Sequence, residues 1–152
     1  MTTISYKNGV LVGEGREVAC SDDESSVIIR DNCVKVFKLP DGSLFGGAHS
    51  SEDIERLFKA LQLKQVPPKL DSIAGLRIDK QRRIWLYEGN IWQHITGVSY
   101  YAIGSGAVFA IAAMDAGATA LEAVKIGIKR DPYSGGKITQ VKLDLKAKKK
   151  AK

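Results

Sequence analysis

Thr2 is the first residue in the chain whose type and position suggest chemistry. Its small side chain predicts removal of Met1, which would leave a free amine and a hydroxyl on the same residue. An α-amine has an ordinary pKa of about 7.7–8.0, so a fraction is neutral at physiological pH and can accept the hydroxyl proton. That pairing is the threonine form of N-terminal nucleophilic catalysis. Because many chains begin with Met-Thr, the residues that follow must decide whether this chemistry applies.

Charged and polar partners for such a nucleophile recur further along the chain. Each has a plain structural interpretation too: Lys35 suits the solvated face of a strand, Ser105 a helix cap and Asp131 a turn. Gly46-Gly47 could likewise serve only the backbone geometry of a strand end. The motifs that hold the partners are, in chain order, Gly13-Glu14-Gly15-Arg16, Cys33-Val34-Lys35-Val36, Leu44-Phe45-Gly46-Gly47, Ala102-Ile103-Gly104-Ser105-Gly106 and Lys129-Arg130-Asp131-Pro132-Tyr133-Ser134-Gly135-Gly136.

In this order the motifs resemble the proteasome β-subunit family, which includes the peptidase subunit of the bacterial HslVU protease. The opening Thr2-Thr3-Ile4 and the Asn8-Gly9 turn match that family as well, and the last two motifs are the most specific. A chance match of all these blocks in family order is far less plausible than any single match. The resemblance implies an N-terminal nucleophile (Ntn) hydrolase of the threonine endopeptidase type.

The resemblance also implies a role for each matching residue. Thr2 would be the nucleophile and its freed amine the base, while Lys35 would place a positive charge beside the Thr2 hydroxyl. Glu14 would keep Lys35 charged and oriented, and the backbone N–H of Gly47 would meet the developing oxyanion. A polar cluster would position the Thr2 amine; its members are Ser105, Asp131 and Ser134.

Several features depart from the family pattern. Glu14 stands where Asp is commoner, and the spacing on both sides of it is unusual, so Glu17 competes for its role. The family usually has two long helices after the oxyanion glycine, whereas residues 51–63 supply one here and Pro67-Pro68 ends it. We therefore expect a trimmed member with one central helix missing. The alignment also brings three residues to the substrate pocket: Glu17, Phe45 and His49.

Periodicity and turn signals predict the elements that position these residues. Asn8-Gly9 predicts a hairpin, and residues 16–20 would extend its ribbon. Ser51 is the expected cap of helix 51–63, and Thr119 with Glu122 predicts a capping box on the later of two C-terminal helices. The order of strands, helix, strands, two helices and strand predicts an α+β fold. The resemblance specifies an αββα four-layer sandwich of two antiparallel sheets flanked by helices.

Composition places the chain among soluble globular proteins. Its 152 residues are 44% hydrophobic and 26% charged, which excludes a wholly disordered chain and a disulfide-dense miniprotein. We predict a single domain over residues 1–144, followed by a basic, disordered tail over residues 145–152. Five lysines of that tail account for most of the formal net charge of +6, so the body is nearly neutral. The basic balance therefore does not indicate a nucleic-acid-binding body.

The same reading predicts the surroundings of the protein. No cofactor and no metal are expected, since Cys20 and Cys33 form no CxxC pair and His49 and His94 lack metal-ligand spacing. We expect a cytoplasmic protein with peptide or protein substrates, a homo-oligomeric ring and an ATP-dependent unfoldase as a further partner. Neither a membrane nor, apart from the basic tail, nucleic acid is expected.

Two other functions remain open at this stage. The first is a catalytically idle, proteasome-like scaffold or binding ring in which Thr2 does no chemistry. The second is a nucleic-acid-associated protein that uses the lysine tail, which salt-sensitive binding would reveal.

Overall fold

Two antiparallel sheets form the centre of the computed structural model, which describes residues 1–144. The basic tail predicted at residues 145–152 lies outside the described residues, and the domain boundary at 144 stays a prediction. The first sheet has the order β10-β1-β2-β11, with neighbours antiparallel throughout. Its strands are β1 (Ile4–Lys7), β2 (Val10–Gly13), β10 (Tyr100–Ile103) and β11 (Thr139–Lys142).

The second sheet is a meander in the order β5-β6-β7-β8-β9. Ile4, Tyr6 and Leu11 of the first sheet share one buried cluster with Leu44 and Leu76 of the second. The sheets therefore pack face to face around the main core. The strands of this sheet are β5 (Val36–Lys38), β6 (Leu44–His49), β7 (Ile73–Ile78), β8 (Ile84–Glu88) and β9 (Ile91–Ile95).

Helices cover both outer faces and complete the predicted four layers. Helix α1 (Ser51–Gln62) places Ile54 and Leu57 on the outer face of the meander. Helices α2 (Ala107–Asp115) and α3 (Ala120–Arg130) lie on the outer face of the first sheet. The α+β sandwich predicted from the sequence is confirmed. Between α1 and β7, the described residues 63–72 form no further helix.

Helix caps explain where two of these helices begin. Thr119 accepts from the Glu122 N–H at 3.1 Å while Glu122 accepts from the Thr119 N–H at 3.1 Å, which is the predicted capping box. The cap of α1 is Ser50 rather than the expected Ser51, because Ser50 has the extended backbone that a cap requires.

The sequence suggested that residues 16–20 would extend the first ribbon, but in the structure they do not. Instead β3 (Glu17–Cys20) pairs with β4 (Ser26–Arg30) in a separate two-stranded sheet, which we call the β3–β4 hairpin. In the segment that follows Cys33, regular strand pairing begins only at Val36. No helix in the described residues is long and apolar enough to cross a membrane.

Candidate active site

Thr2 is buried two residues before β1 begins at Ile4. β1 is an inner strand between β10 and β2, so residues from both neighbours surround its start. The Gly106 N–H donates to the Thr2 carbonyl oxygen at 3.1 Å and fixes the backbone there. The segment before β1 is thus anchored to the turn that precedes helix α2.

Lys35 reaches the Thr2 side chain from the segment just before β5. Its Nζ donates to Thr2 Oγ1 at 2.7 Å, to Glu14 Oε1 at 2.9 Å and to the Arg16 carbonyl oxygen at 2.5 Å. An ammonium has three donors, and all three are used here. The positive charge is therefore fixed beside the one hydroxyl that could act as a nucleophile.

Glu14, and not Glu17, is the carboxylate that contacts Lys35. Its side chain is fully buried directly after β2. Besides Lys35, it accepts from the backbone N–H groups of Thr3 at 3.3 Å, Arg16 at 2.9 Å and Gly135 at 2.7 Å. The longer side chain of Glu compared with Asp is thereby accommodated, since each oxygen has two donors.

A chain of hydroxyl groups leads away from the Thr2 nitrogen. The Thr2 N–H donates to Ser105 Oγ at 3.0 Å, and Ser105 Oγ donates to Asp131 Oδ2 at 2.5 Å. Ser134 Oγ donates to the same Asp131 oxygen at 2.6 Å and lies 2.7 Å from Thr3 Oγ1. Asp131 and Ser134 are almost fully buried, so the two Ser134 bonds are shielded from water, whereas Ser105 is exposed. Sequence reasoning named this cluster but missed Thr3, whose only signal is the Thr-Thr doublet.

The glycines on both sides of Ser105 allow this close approach. Gly104 has φ +95, and a Cβ there would lie 2.0 Å from the Thr2 carbonyl oxygen. A Cβ on Gly106 would lie 1.8 Å from Thr3 Oγ1. Any side chain at either position would displace the start of β1 from the hydroxyl cluster.

Met1 contacts the Thr2 side chain in this structure. Thr2 Oγ1 donates to the Met1 carbonyl oxygen at 2.6 Å. Burial lowers the pKa of the Met1 amine below its ordinary value, and the Lys35 charge lowers it further. Both effects raise the neutral fraction of the Met1 amine.

Gly47 lies in β6, opposite Lys35. Its backbone N–H, the predicted oxyanion donor, donates to the Lys35 carbonyl oxygen at 3.0 Å and is engaged in the sheet ladder. A Cβ on Gly47 would lie 2.7 Å from the Ile54 side chain of α1, so the absence of a side chain is a packing requirement.

A cleft of about 740 Å³ opens beside Lys35. Glu17 is at its mouth, where it accepts from Ser51 Oγ at 2.9 Å and pairs with Arg30. The lining combines these polar groups with apolar side chains from β5 and α1, notably Phe37, Ile54 and Phe58.

The other two predicted pocket residues do not line this cleft. Phe45 is fully buried in the core beneath α1, with its ring 6.3 Å from the rings of Phe37 and Phe58, so it cannot touch a substrate directly. The resemblance placed Phe45 in the substrate pocket, but its side chain lies on the face of β6 that α1 covers, opposite the face that holds Leu44. His49 is exposed at the end of β6 with φ +85. Partial desolvation lowers the pKa of its imidazole, and the positive charge of the Met1 amine lowers it further.

Among residues 1–144, no group of three or more His, Cys, Asp or Glu side chains could hold a metal ion. The arrangement offers a hydroxyl, an adjacent ammonium, a buried carboxylate and a relay of hydroxyls on the nitrogen of the same residue. Such a set can carry out nucleophilic acyl transfer.

Comparisons with known proteins agree with the fold. The chain is similar to BPH from Thiobacillus denitrificans in complex with epoxomicin, with 18% identity and a TM-score of 0.64 over 95% of this chain and 99% of that one. A second structure of BPH from that organism gives 18% identity and a TM-score of 0.62, with the same coverage. The eukaryotic HslV from Trypanosoma brucei gives 17% identity and a TM-score of 0.64 over 92% of this chain and 97% of that one. No protein-family model and no curated protein sequence matches the chain. The HslV-type fold that the sequence motifs implied is thus confirmed.

Proposed function

We propose that the protein is an N-terminal threonine peptidase that hydrolyses peptide bonds through an ester on Thr2 after removal of Met1. One observation carries the proposal: Lys35 Nζ lies 2.7 Å from Thr2 Oγ1 while the Thr2 nitrogen rests on the Ser105–Asp131 pair. The hydroxyl and the nitrogen of one residue thus each have a separate set of partners.

In the acylation step, the Thr2 hydroxyl oxygen forms a bond to the carbonyl carbon of the substrate. Its proton passes to the neutral Thr2 amine, directly or through a water molecule, while Lys35 stabilises the negative charge on the oxygen. The carbon–nitrogen bond then breaks, and the protonated amine donates that proton to the leaving amine. The product is an ester on Thr2 and a shortened peptide.

Deacylation repeats these steps with water in place of the Thr2 hydroxyl. The Thr2 amine accepts a proton from water, and the resulting hydroxide adds to the ester carbonyl carbon. The bond between that carbon and Thr2 Oγ1 then breaks, and the ammonium returns its proton to Oγ1 as the carboxylic acid leaves. Ser105, held by Asp131, accepts a hydrogen bond from the amine and leaves its lone pair free for both steps. Asp131 and Ser134 therefore act through Ser105 as positioning residues.

The N–H of Gly47 remains our candidate for the oxyanion donor. To serve, it must turn from the Lys35 carbonyl, which forfeits one neutral hydrogen bond worth about 1 kcal/mol. An oxyanion donor contributes about 2.7–4 kcal/mol to the transition state. The exchange is favourable on these magnitudes.

Substrate and assembly form the wider part of the proposal. The cleft beside Lys35 suits a peptide side chain with an apolar body, since Phe37, Ile54 and Phe58 line it. We propose a self-compartmentalised homo-oligomer in the cytoplasm, supplied with unfolded protein by an ATP-driven unfoldase. The HslV-type fold supports this, and so do Val108 and Phe109, exposed apolar side chains on α2.

Intact mass measurement is the experiment that tests the chemistry. Protein is measured before and after treatment with epoxomicin, the molecule bound in the similar BPH structure, and with a peptide vinyl sulfone as a second reagent. We expect loss of Met1 and a single adduct that maps to Thr2. If expression leaves Met1 in place, a ubiquitin fusion cleaved before Thr2 exposes the same terminus.

Matched variants make the result specific. Thr2→Ala should remove the adduct, Thr2→Ser should keep it, and Thr96→Ala, at an exposed threonine, should react like the unaltered chain. A free Thr2 that never reacts would overturn the peptidase proposal. The idle scaffold, in which the Gly47 N–H stays on the Lys35 carbonyl, would then be the better account.

A further inference from the structure

The β3–β4 hairpin is unusual for a surface element. Its strand β4 exposes three consecutive aliphatic side chains: Val27 at 65%, Ile28 at 49% and Ile29 at 58%. Successive strand residues face opposite sides, so both faces of the hairpin are apolar. An isolated two-stranded sheet is marginally stable in water. The hairpin therefore needs a surface to pack against.

The tip of the hairpin is acidic. Asp22, Asp23 and Glu24 are consecutive and exposed. Asp23 accepts from Ser21 Oγ and Ser25 Oγ at 2.5 and 2.7 Å, which fixes the loop. The tip thus presents a rigid cluster of negative charge ahead of the apolar strand.

A groove of about 520 Å³ at the other end of the molecule has the opposite character. Lys80, Arg82 and Lys142 line it, and none of them has an ion-pair partner among the described residues. The one acid in the lining, Asp144, is paired with Lys38 at 2.6 Å. Val10 and Leu143 supply apolar surface beside the cations.

The two surfaces lie at opposite ends of the β1–β2 ribbon. The groove surrounds the turn at Asn8 and Gly9, whereas the hairpin begins after β2 has returned to the Thr2 end. Four residues per strand separate these ends by about 13 Å. The lining of the groove includes no residue of the tip of the same chain, so a tip that fills it must come from a second copy.

We propose that the acidic tip of the β3–β4 hairpin of one copy docks into the Lys80–Arg82–Lys142 groove of the next. The groove is occupied by a second copy of this chain, because the acidic tip has the complementary charge and the aliphatic strand β4 follows the tip. Contacts between unlike surfaces are heterologous, and repetition closes them into a ring where the rotation allows. The inference rests on the proposed self-assembly and specifies the surfaces that produce it.

Docking also bears on the candidate site. Glu17 and Arg30, at the root of the hairpin, form the mouth of the cleft beside Lys35. A hairpin held by the next copy would keep that wall of the cleft in place. Each site would then be completed through contacts made by its own hairpin with a neighbour.

Charge reversal with rescue tests the docking. Asp22→Lys with Glu24→Lys reverses the tip and spares Asp23, while Lys80→Glu with Lys142→Glu reverses the groove. We expect each pair to raise the apparent dissociation constant of the assembly at least about tenfold, since like charges then oppose each other. Combining all four should restore assembly. Native mass spectrometry and light scattering give the readout, with circular dichroism as the check on folding.

A control pair distinguishes docking from net charge. Asp71→Lys with Glu88→Lys changes the formal charge as much as the tip reversal but lies off the hairpin, and it should leave assembly unchanged. A short thiol-to-amine cross-linker should also join exposed Cys20 to Lys80 or Lys142. In mixtures of isotopically labelled and unlabelled protein, the linked peptides should carry mixed labels.

Three outcomes would overturn the proposal: a monomer at all concentrations, reversals without effect, or failure of the combined variant to assemble. Heparin or an oligonucleotide that binds the groove while the reversals leave assembly intact would assign the groove to an anionic polymer instead. Labelling of Thr2 is measured separately, by intact mass. A reactive monomer would refute docking alone, and an assembled but unreactive protein would refute the peptidase alone.

Discussion

Replacement of Glu14 should reveal how much the Lys35 charge depends on its buried partner. Glu14 Oε1 accepts from Lys35 and from the Thr3 N–H, and Oε2 accepts from the N–H groups of Arg16 and Gly135. Every neighbour is a donor, so the amide of Glu14→Gln places a donor against donors in either orientation. The variant leaves a buried ammonium unpaired and at least one backbone N–H unsatisfied.

The expected loss of stability follows from the unpaired ammonium and the unsatisfied N–H. Breaking a buried ion pair by removal of one partner costs about 3–5 kcal/mol, against a total stability of roughly 5–15 kcal/mol for a domain. With a urea slope of about 2 kcal/mol/M, the unfolding midpoint falls by about 2 M. Labelling of Thr2 should slow by about 10²-fold or more, because the ammonium is no longer held against the hydroxyl.

Urea unfolding followed by the fluorescence of Trp85 and Trp92 measures the first effect. Glu17→Gln is the matched control, because Glu17 carries the same chemistry at the cleft mouth and its partner Arg30 is exposed. We expect the control to lose only a small fraction of what Glu14→Gln loses. A midpoint for Glu14→Gln within about 0.5 M of the unaltered protein, or an equal loss in the control, would refute the role given to the buried pair.

Three further predictions follow from the same geometry. Gly106→Ala puts a Cβ 1.8 Å from Thr3 Oγ1, so it should cost about 1–3 kcal/mol and slow labelling; an unchanged melting temperature would contradict this. Phe45→Ala should cost about 3–5 kcal/mol by leaving a cavity beneath α1, yet keep the order of preference among peptide substrates, which is measured with a peptide series. The lowered pKa of His49 means that the unfolded chain binds the extra proton, so stability should fall as pH drops below about 6.5. His49→Gln should flatten that dependence in urea unfolding at pH 7.5 and 5.5, and an identical slope in both proteins would count against it.

Short-range rules account for the elements that the sequence predicted well. The Asn8-Gly9 turn forms with both residues at positive φ, as a two-residue hairpin requires. The Thr119–Glu122 capping box needs only residues three apart. Such features depend on neighbours in the chain, and a single sequence contains all the information for them.

Long-range pairing explains what the sequence did not reveal. Strand β3 pairs with β4 and not with the first ribbon, and local propensity does not decide between these two partners. The Phe45 ring lies on one of the two faces of β6, and only the assembled fold shows that α1 closes that face. The motifs did bring Thr2, Lys35 and Glu14 together, because the resemblance carried long-range information that periodicity lacks.

The hydroxyl relay has a consequence for the order of events during synthesis. Asp131 and Ser134, which complete the relay to the Thr2 nitrogen, lie far downstream of Thr2 in the chain and are synthesised later. A nascent chain that lacks them therefore holds the Thr2 nitrogen without its relay. Because these contacts are long-range, the site proposed to be catalytic can assemble only after the segment that holds Asp131 and Ser134 has been translated.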